Sequence, residues 1–532
     1  MALDAIIIAD SGSDSFSGTS PLKLNLDGRI GDVQAVLNYL ENAGRINLPI
    51  AGDRRMSWAS APKLNGIYLW NYLHWHGFEV AVIDSFYEQQ EELRRLLKLG
   101  PHTVILSTTF INNKKTLKKM LDALRDLAPD VAVVAGGSFV FMSYFLFQKS
   151  KDPAYPVEHV GPDFLFFEED RDLTVDLFIT GSHGEDILCR ALEHIKNGRE
   201  TRDLPNTAWI TDEGYRFGPQ IDDSQMTDHP IDWRSLPEQF FSSGVVPLQS
   251  SNGCPYNCAF CTFVKNNRRP SVKPLEELIG EMKQVRSRGI RYIWFVDDNF
   301  RLGKGDLEEV CRRMIEEDMG LRWMTFMRAG TLDQMDINLL RRAGCIEVQL
   351  GLESADAQVL RNMNKKAAPE LYDRVLNKVL SAGIACSCYL IFGFPGETDE
   401  SAMRTIDFMR RHDAGEYEGS LSWSMFPFVL APLSPIYEAA ARACYQMSGY
   451  MKQWQHATMD SKRALGYVLK AFSAMEKSSV IYRGDNQDLL HRLTPAQRRR
   501  FQSTRHALSK AAINGTLEPG LILESFQKAL AQ

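Results

Sequence analysis

The chain lacks a long hydrophobic run. Its longest aromatic-apolar stretch, Phe139 to Phe147, spans nine residues and is interrupted by Ser143. That is about half of what a membrane span needs, so no membrane segment is expected. The start, Met1-Ala2-Leu3-Asp4, lacks a basic region followed by an apolar run, so no signal peptide is expected and a soluble cytoplasmic protein is read. An excess of positive charge is missing too. Lys and Arg number 61 against 67 Asp and Glu, a formal net charge of −6. Without a global basic field, a nucleic-acid partner is not expected. Cysteine is sparse, at nine in 532 residues, which excludes a disulfide framework. Six of the nine (Cys189, Cys311, Cys345, Cys386, Cys388 and Cys444) sit in apolar or helical surroundings and read as small buried side chains.

The rest of the composition is that of a globular protein, 44% hydrophobic and 24% charged. At about 150 residues per domain, the length predicts three or four domains. Residues 1–215 alternate short β-branched runs with helical patterns. The strands are Ala5 to Ile8, Glu79 to Ile83, Thr103 to Leu106, Val131 to Ala135 and Asp176 to Ile179. This pattern predicts an α/β, doubly wound, Rossmann-like parallel sheet. Such sheets bind ligands outside the carboxyl ends of their strands. Three of those ends carry small residues: Ser107-Thr108-Thr109, Gly136-Gly137-Ser138 and Thr180-Gly181-Ser182. Singly each suits a tight turn; together they suit a face approached by a large flat ligand. Residues 216–240, with Pro219, Pro230 and Pro237, read as a linker.

A second βα series occupies residues 241–437. Its strands are Val245 to Gln249, Tyr292 to Val296, Trp323 to Met327, Ile346 to Leu350, Ser387 to Ile391 and Leu421 to Phe426. Six βα units predict a partial (β/α)6 TIM-type barrel rather than a closed eight-fold one. Residues 438–532 read as a polar helical region with no further strands, capping the barrel or selecting substrate. Within it, Arg498-Arg499-Arg500 follows the helix start Thr494-Pro495 and reads as a solvated helix face. Trp454, Tyr467 and Phe472 read as packing residues. The aromatic-rich stretch from about 139 to 172 reads as a helix and a packing loop, with a cofactor cover as the alternative.

The three remaining cysteines stand apart. Gly253-Cys254-Pro255-Tyr256-Asn257-Cys258-Ala259-Phe260-Cys261 reads C-x3-C-x2-C and follows the first barrel strand. Three thiolates in one short loop can converge on a metal centre. Iron–sulfur cubanes normally take four thiolates, so three leave one iron open. A structural zinc site would want a fourth Cys or His, and no His lies between His229 and His412.

The loop resembles the hallmark of the radical S-adenosylmethionine (SAM) superfamily, C-x3-C-x2-C with an aromatic before the last cysteine, here Phe260. The resemblance implies that Cys254, Cys258 and Cys261 hold a [4Fe-4S] cluster. The open iron then takes the amino and carboxylate groups of SAM, and reduction yields a 5'-deoxyadenosyl radical. It also implies an external electron donor of flavodoxin or ferredoxin type. Barrel enzymes place their chemistry at the carboxyl ends of strands. After the second strand come Asp297-Asp298-Asn299, where the family has a motif for the SAM amino group. Arg328 follows the third strand and suits a carboxylate. Gly351-Leu352-Glu353-Ser354 follows the fourth and resembles the ribose-binding segment. Gly393-Phe394-Pro395-Gly396 follows the fifth and resembles the adenine-supporting turn.

A doubly wound domain before such a barrel resembles the cobalamin-binding radical SAM class. Similar features are an extended loop leading to a helix (Pro62 to His76), Ser107-Thr108, Gly136-Gly137 and Gly181-x-x-Gly184-Glu185. No Asp-x-His-x-x-Gly motif is present, so cobalamin without a histidine from that motif is expected; His74 and His76 read as packing or surface residues. The family implies a methyltransferase acting on an unactivated carbon of a small-molecule or peptide natural-product precursor, with methylcobalamin as donor. The alternative is a non-methylating outcome on the same barrel: ring closure, rearrangement or transfer of another SAM fragment. Sulfur-inserting tRNA enzymes share the barrel but carry three extra cysteines in the N-terminal domain, where this chain has only Cys189.

Overall fold

The structure is a computed structural model and describes residues 3–12, 24–26, 29–31, 61–223, 229–262, 270–300, 304–481 and 493–530. The chain forms two compact units, one of Met1–Phe16 with Pro62–Phe240, the other of Ser17–Ala61 with Phe241–Gln532.

The first unit is built on a seven-stranded sheet. Its order is Val80–Ile83, Ala5–Ile8, Thr103–Ser107, Ala132–Gly136, Leu177–Ile179, Thr207–Thr211, Gly214–Phe217. The first five strands are parallel, in the order 2-1-3-4-5, and the strand order reverses between Ala5–Ile8 and Thr103–Ser107. Ala5–Ile8 and Thr103–Ser107 are buried throughout because helices cover the sheet.

Two expectations need correcting here. The sheet is not wholly parallel, because Thr207–Thr211 and Gly214–Phe217 form an antiparallel hairpin on its edge. The unit also continues to Phe240, so a boundary at 215 cuts that hairpin and residues 216–240 are no linker. Their anchors are the buried Trp233 and Phe240 and a hydrogen bond from the Asn71 side-chain Nδ2 to the Pro230 carbonyl at 3.1 Å. The 139–172 stretch is a helix, Ser138–Lys149, and a packing loop. Phe166 meets Phe178 and Tyr215 edge to face and Phe217 at a tilt, so these rings glue the hairpin to the sheet.

The second unit is a parallel sheet in sequential order: Val245–Leu248, Tyr292–Phe295, Arg322–Met327, Cys345–Glu353, Ala385–Phe392, Leu421–Pro427 and Ser479–Val480. The six expected barrel strands are present, and a seventh comes from the region read as purely helical. That region also holds an antiparallel sheet of Ser448–Tyr450, Gln453–His456 and Met459–Asp460. Their residues lack the apolar runs that signal strands, and neighbouring strands rather than propensity hold them. The helix Pro495–Ile513 starts on a capping box between Thr494 and Gln497. Arg498 and Arg499 donate to the Glu418 and Tyr417 carbonyls, so they tie this helix to the segment before the sixth barrel strand rather than facing water. Among the described residues no helix is long and apolar enough to cross a membrane.

Candidate functional site

The first barrel strand ends at Leu248, and the chain then runs through Ser250 and Ser251 into the cysteine loop. The loop is bracketed by a two-stranded ladder, Ser251–Asn252 against Ser271–Val272. Asp297, at the end of the second strand, accepts on one oxygen from Ser250 N (3.0 Å), Ser250 Oγ (2.9 Å), Ser251 Oγ (2.6 Å) and Ser251 N. Asp298 accepts from Gly253 N at 2.9 Å, and the Asn299 carbonyl faces Ser251 Oγ at 3.2 Å. Burial pushes the Asp297 carboxyl up to about 6 and raises that of Asp298. The structure thus turns these residues, expected at the SAM amino group, toward the start of the cysteine loop. Gly253 itself has φ +80°, a conformation that side chains rarely adopt.

The loop is stitched to the segment after the fourth strand. Ala259 N donates to the Met363 carbonyl at 2.8 Å, and Asn364 Nδ2 to the Asn257 carbonyl at 2.7 Å. Arg328 stands against the loop rather than in open space. Its guanidinium lies 3.6 Å over the Tyr256 ring, with Nη1 3.7 Å from Cys258 Sγ and Nη2 on the Lys365 carbonyl. Cys258 is buried, Cys254 and Cys261 are half-buried, and burial raises the Cys254 thiol. As placed, no three His, Cys, Asp or Glu side chains among the described residues stand close enough to hold a metal ion. The donor set nevertheless suits an iron–sulfur cluster: three thiols on one braced loop, with a cation beside the buried one.

Glu353 sits at a bulge in the fourth strand with φ +65°. Its Oε1 accepts from Lys365 Nζ at 2.7 Å, and both side chains are almost buried. Ser354 is fully buried, shares a hydrogen bond with Thr405 and accepts from Asp356 N. Lys365 also lies over the Phe260 ring at 5.7 Å, and Phe260 meets Phe394 edge to face. The cysteine loop therefore touches the Gly393 turn. There Gly393 N donates to Glu397, a fully buried acid whose other oxygen has no partner. Burial pushes the Glu397 carboxyl up to about 8. Pro395 offers its carbonyl to Asn362 Nδ2 at 3.1 Å. Sequence reasoning missed Lys365 and Glu397. Only the second had a local signal, an acid closing Gly393-Phe394-Pro395-Gly396.

In the first unit, Ser107, Thr108, Gly136, Gly137 and Gly181 do gather at the carboxyl ends of the strands. Thr108 Oγ1 donates to the Gly136 carbonyl at 2.8 Å, and a Cβ on Gly137 would come within 3.1 Å of Thr108 N. A Cβ on Gly181 would stand 2.5 Å from Asp223 Oδ2, so Gly181 is needed for its own loop. Asp223, another missed residue, accepts from Ser182 Oγ and His183 N. Glu185 opens the helix Glu185–Lys196. Asn65 donates to the Ala9 carbonyl and to Ser107 Oγ at the point where strand order reverses. Three buried polar atoms on this edge, Asn65 Oδ1, Ser85 Oγ and Thr180 Oγ1, have no hydrogen-bond partner. Such orphans are costly without a ligand or water, so the edge fits a large polar cofactor.

Comparison with known proteins agrees with this geometry. Residues 248–409 match the family model "Radical SAM superfamily". An uncharacterized methyltransferase of Pyrococcus horikoshii is 27% identical over 47% of this chain and 57% of its own length. The anaerobic magnesium-protoporphyrin IX monomethyl ester cyclase of Rubrivivax gelatinosus is 21% identical over 68% of this chain and 63% of its own. The chain thus spans less than two thirds of these curated relatives. The radical SAM methyltransferase TsrM of Kitasatospora setae, solved with cobalamin and a [4Fe-4S] cluster, shares the fold: TM-score 0.60, 16% identity, with 100% of both chains covered. The cysteine loop lies inside the segment that matches the radical SAM family model, and the fold is similar to that of a cobalamin-binding radical SAM methyltransferase.

Proposed function

We propose that this enzyme is a cobalamin-dependent methyltransferase that methylates an unactivated carbon of a small-molecule or peptide natural-product precursor. The carrying observation is the braced three-cysteine loop at the carboxyl end of the first barrel strand, in a chain whose other unit offers a ligand-binding sheet edge with orphaned polar atoms. Cys254, Cys258 and Cys261 would hold the [4Fe-4S] cluster, and the edge at Ser107, Thr108, Gly136, Gly137 and Gly181 would face cobalamin. When bound, the cluster supplies the electron that cleaves SAM and cobalamin supplies a methyl carrier. The chain's own contribution is positioning. Asp297 and Asp298 fix the start of the loop, and Arg328 sets a positive charge beside Cys258. Phe260 and the Gly393–Pro395 turn give an adenine a flat apolar support, and Glu353, held by Lys365, stands at the ribose position. An external flavodoxin- or ferredoxin-like donor would deliver the electron.

The test is cobalamin content after anaerobic purification and iron–sulfide reconstitution, followed by product mass. About one cobalamin per chain and a product heavier by one methyl group support the reading. An intact cluster with almost no cobalamin overturns it. The cyclase name of the Rubrivivax relative favours one second reading, a ring closure on the same barrel, which product mass separates from methylation.

A further inference from the structure

The Gly393 turn is held from outside the six expected barrel strands. Exposure alternates along the strand Gln453–His456: Gln453 and Gln455 are exposed, Trp454 and His456 buried. The two buried rings share one face, and that face meets the turn. His456 Nε2 stands 3.1 Å from the Gly393 carbonyl, 63 residues earlier in the chain. Trp454 stacks on His456 with ring centres 5.2 Å apart and planes inclined by 3°.

The partners of His456 fix its tautomer. A carbonyl only accepts, so Nε2 carries the proton and donates to Gly393. An amide N–H only donates, so Nδ1, 3.3 Å from Thr458 N, is the acceptor. Thr458 Oγ1 lies 3.2 Å from the same nitrogen. Burial pulls the His456 pKa down, which favours this neutral ring.

Gly393 is thus gripped on both sides of its Cα. Its N–H donates to Glu397, and its carbonyl accepts from His456. Each anchor fixes one of the two peptide planes that meet at this glycine. A glycine has the widest choice of backbone conformations, so an ungripped turn would sample others. From the turn, Phe394 meets Phe428 edge to face at 5.1 Å and Phe260 of the cysteine loop at 6.5 Å.

We propose that His456 is a positioning residue for SAM: by holding the Gly393 carbonyl it sets the peptide planes on which the adenine rests. This rests on the radical SAM reading, in which the Gly393–Pro395 turn supports the adenine. A turn set before binding spares the ligand the cost of ordering it. His456 touches no residue of the cysteine loop in this arrangement of contacts, and cluster assembly is independent of it.

Glutamine and asparagine divide the two functions of the ring. The amide of Gln reaches as far as Nε2 and can donate to the Gly393 carbonyl; that of Asn ends near Nδ1 and reaches only Thr458. SAM affinity is measured by equilibrium dialysis against the anaerobically reconstituted enzyme. His456→Gln should bind within about twofold of the wild type and His456→Asn about three- to tenfold more weakly, the worth of one hydrogen bond. His456→Met fills the space without a donor and should match His456→Asn, so the comparison stands if one of the two fails to fold. Iron content should be the same in every variant. A role confined to stability would lower melting temperatures and leave SAM affinity unchanged. Wild-type affinity in the Asn or Met variant, or a Gln variant as weak as these, overturns the inference and leaves the radical SAM reading intact. A wild type that holds no cluster after reconstitution, read from iron alone, overturns that reading and the inference with it.

Discussion

Single residues behind the cysteine loop carry more charge than their burial would ordinarily allow. Glu353 and Lys365 compensate one another at 2.7 Å. Breaking a buried pair by removing one partner costs about 3–5 kcal/mol, because the other charge is left unpaired. Glu353→Ala should therefore lower the melting temperature, and Glu353→Ala with Lys365→Met should recover most of the loss; if the double variant melts no higher than the single, the pair is not what holds the segment. Arg328 stands 3.7 Å from Cys258 Sγ. A nearby cation favours electrons on a thiolate-held centre, so Arg328→Gln should shift the cluster's midpoint potential downward in a redox titration followed by electron paramagnetic resonance, with iron content retained. Glu397 gives a pH signature. Burial pushes its carboxyl up to about 8 from an ordinary 4.5. Between those values the folded chain holds a proton that the unfolded chain has lost. Stability therefore falls as pH rises through the window, by at most about 1.4 kcal/mol per unit, and levels off above 8. His506, pushed down to about 4, acts in the opposite sense below its ordinary 6.5. Glu397→Gln removes only the first effect, so its melting temperature should gain on the wild type from about pH 5 to pH 8. A constant difference across that range would show Glu397 ionised in the fold.

At the scale of elements, the small antiparallel sheet after residue 447 matters because it closes on the Gly393 turn. Trp454 donates to the Phe428 carbonyl at 2.7 Å and lies against Gly393, where an added Cβ would meet Ala464 at 2.5 Å and Trp454 at 2.6 Å. Gly393 also has φ +86°. Gly393→Ala is therefore both strained and overpacked, and a loss of about 1–3 kcal/mol or more is expected from the packing alone. Equilibrium dialysis should show SAM binding weakened in parallel, since this turn and Phe260 are in contact through Phe394. Unchanged SAM affinity would separate the turn from the SAM site. The barrel strands were legible because each carries closely spaced apolar residues, continuous or alternating, with a helical pattern between one strand and the next. Ser448–Tyr450, Gln453–His456 and Ser479–Val480 were not, since two to four residues with at most one apolar side chain become a strand only when a neighbour pairs with them. The hairpin Thr207–Phe217 was missed as well, and its loss moved the first boundary from about 240 to 215.

For the whole molecule, the cysteine loop lies in one compact unit and the sheet edge with orphaned polar atoms in the other. Cys258→Ala should abolish the brown cluster chromophore and all SAM cleavage while leaving cobalamin content near that of the wild type. Cleavage that survives the substitution would mean that Cys258 is no cluster ligand, and simultaneous loss of cobalamin would mean that the two sites form as one. The sequence by itself determined the two βα series, the parallel order of most strands and the three-cysteine loop. These depend on neighbours a few residues apart: apolar runs, glycine turns and thiols at fixed spacing. Tertiary structure decided what the acids do. Asp297 and Asp298 face the loop start, Glu353 is tied to Lys365, Glu397 is buried under Gly393, and Asp223 grips the Gly181 loop. A carboxylate's role depends on which donors the fold brings within hydrogen-bond reach. Those donors come mostly from residues tens of positions away, so no local pattern records them.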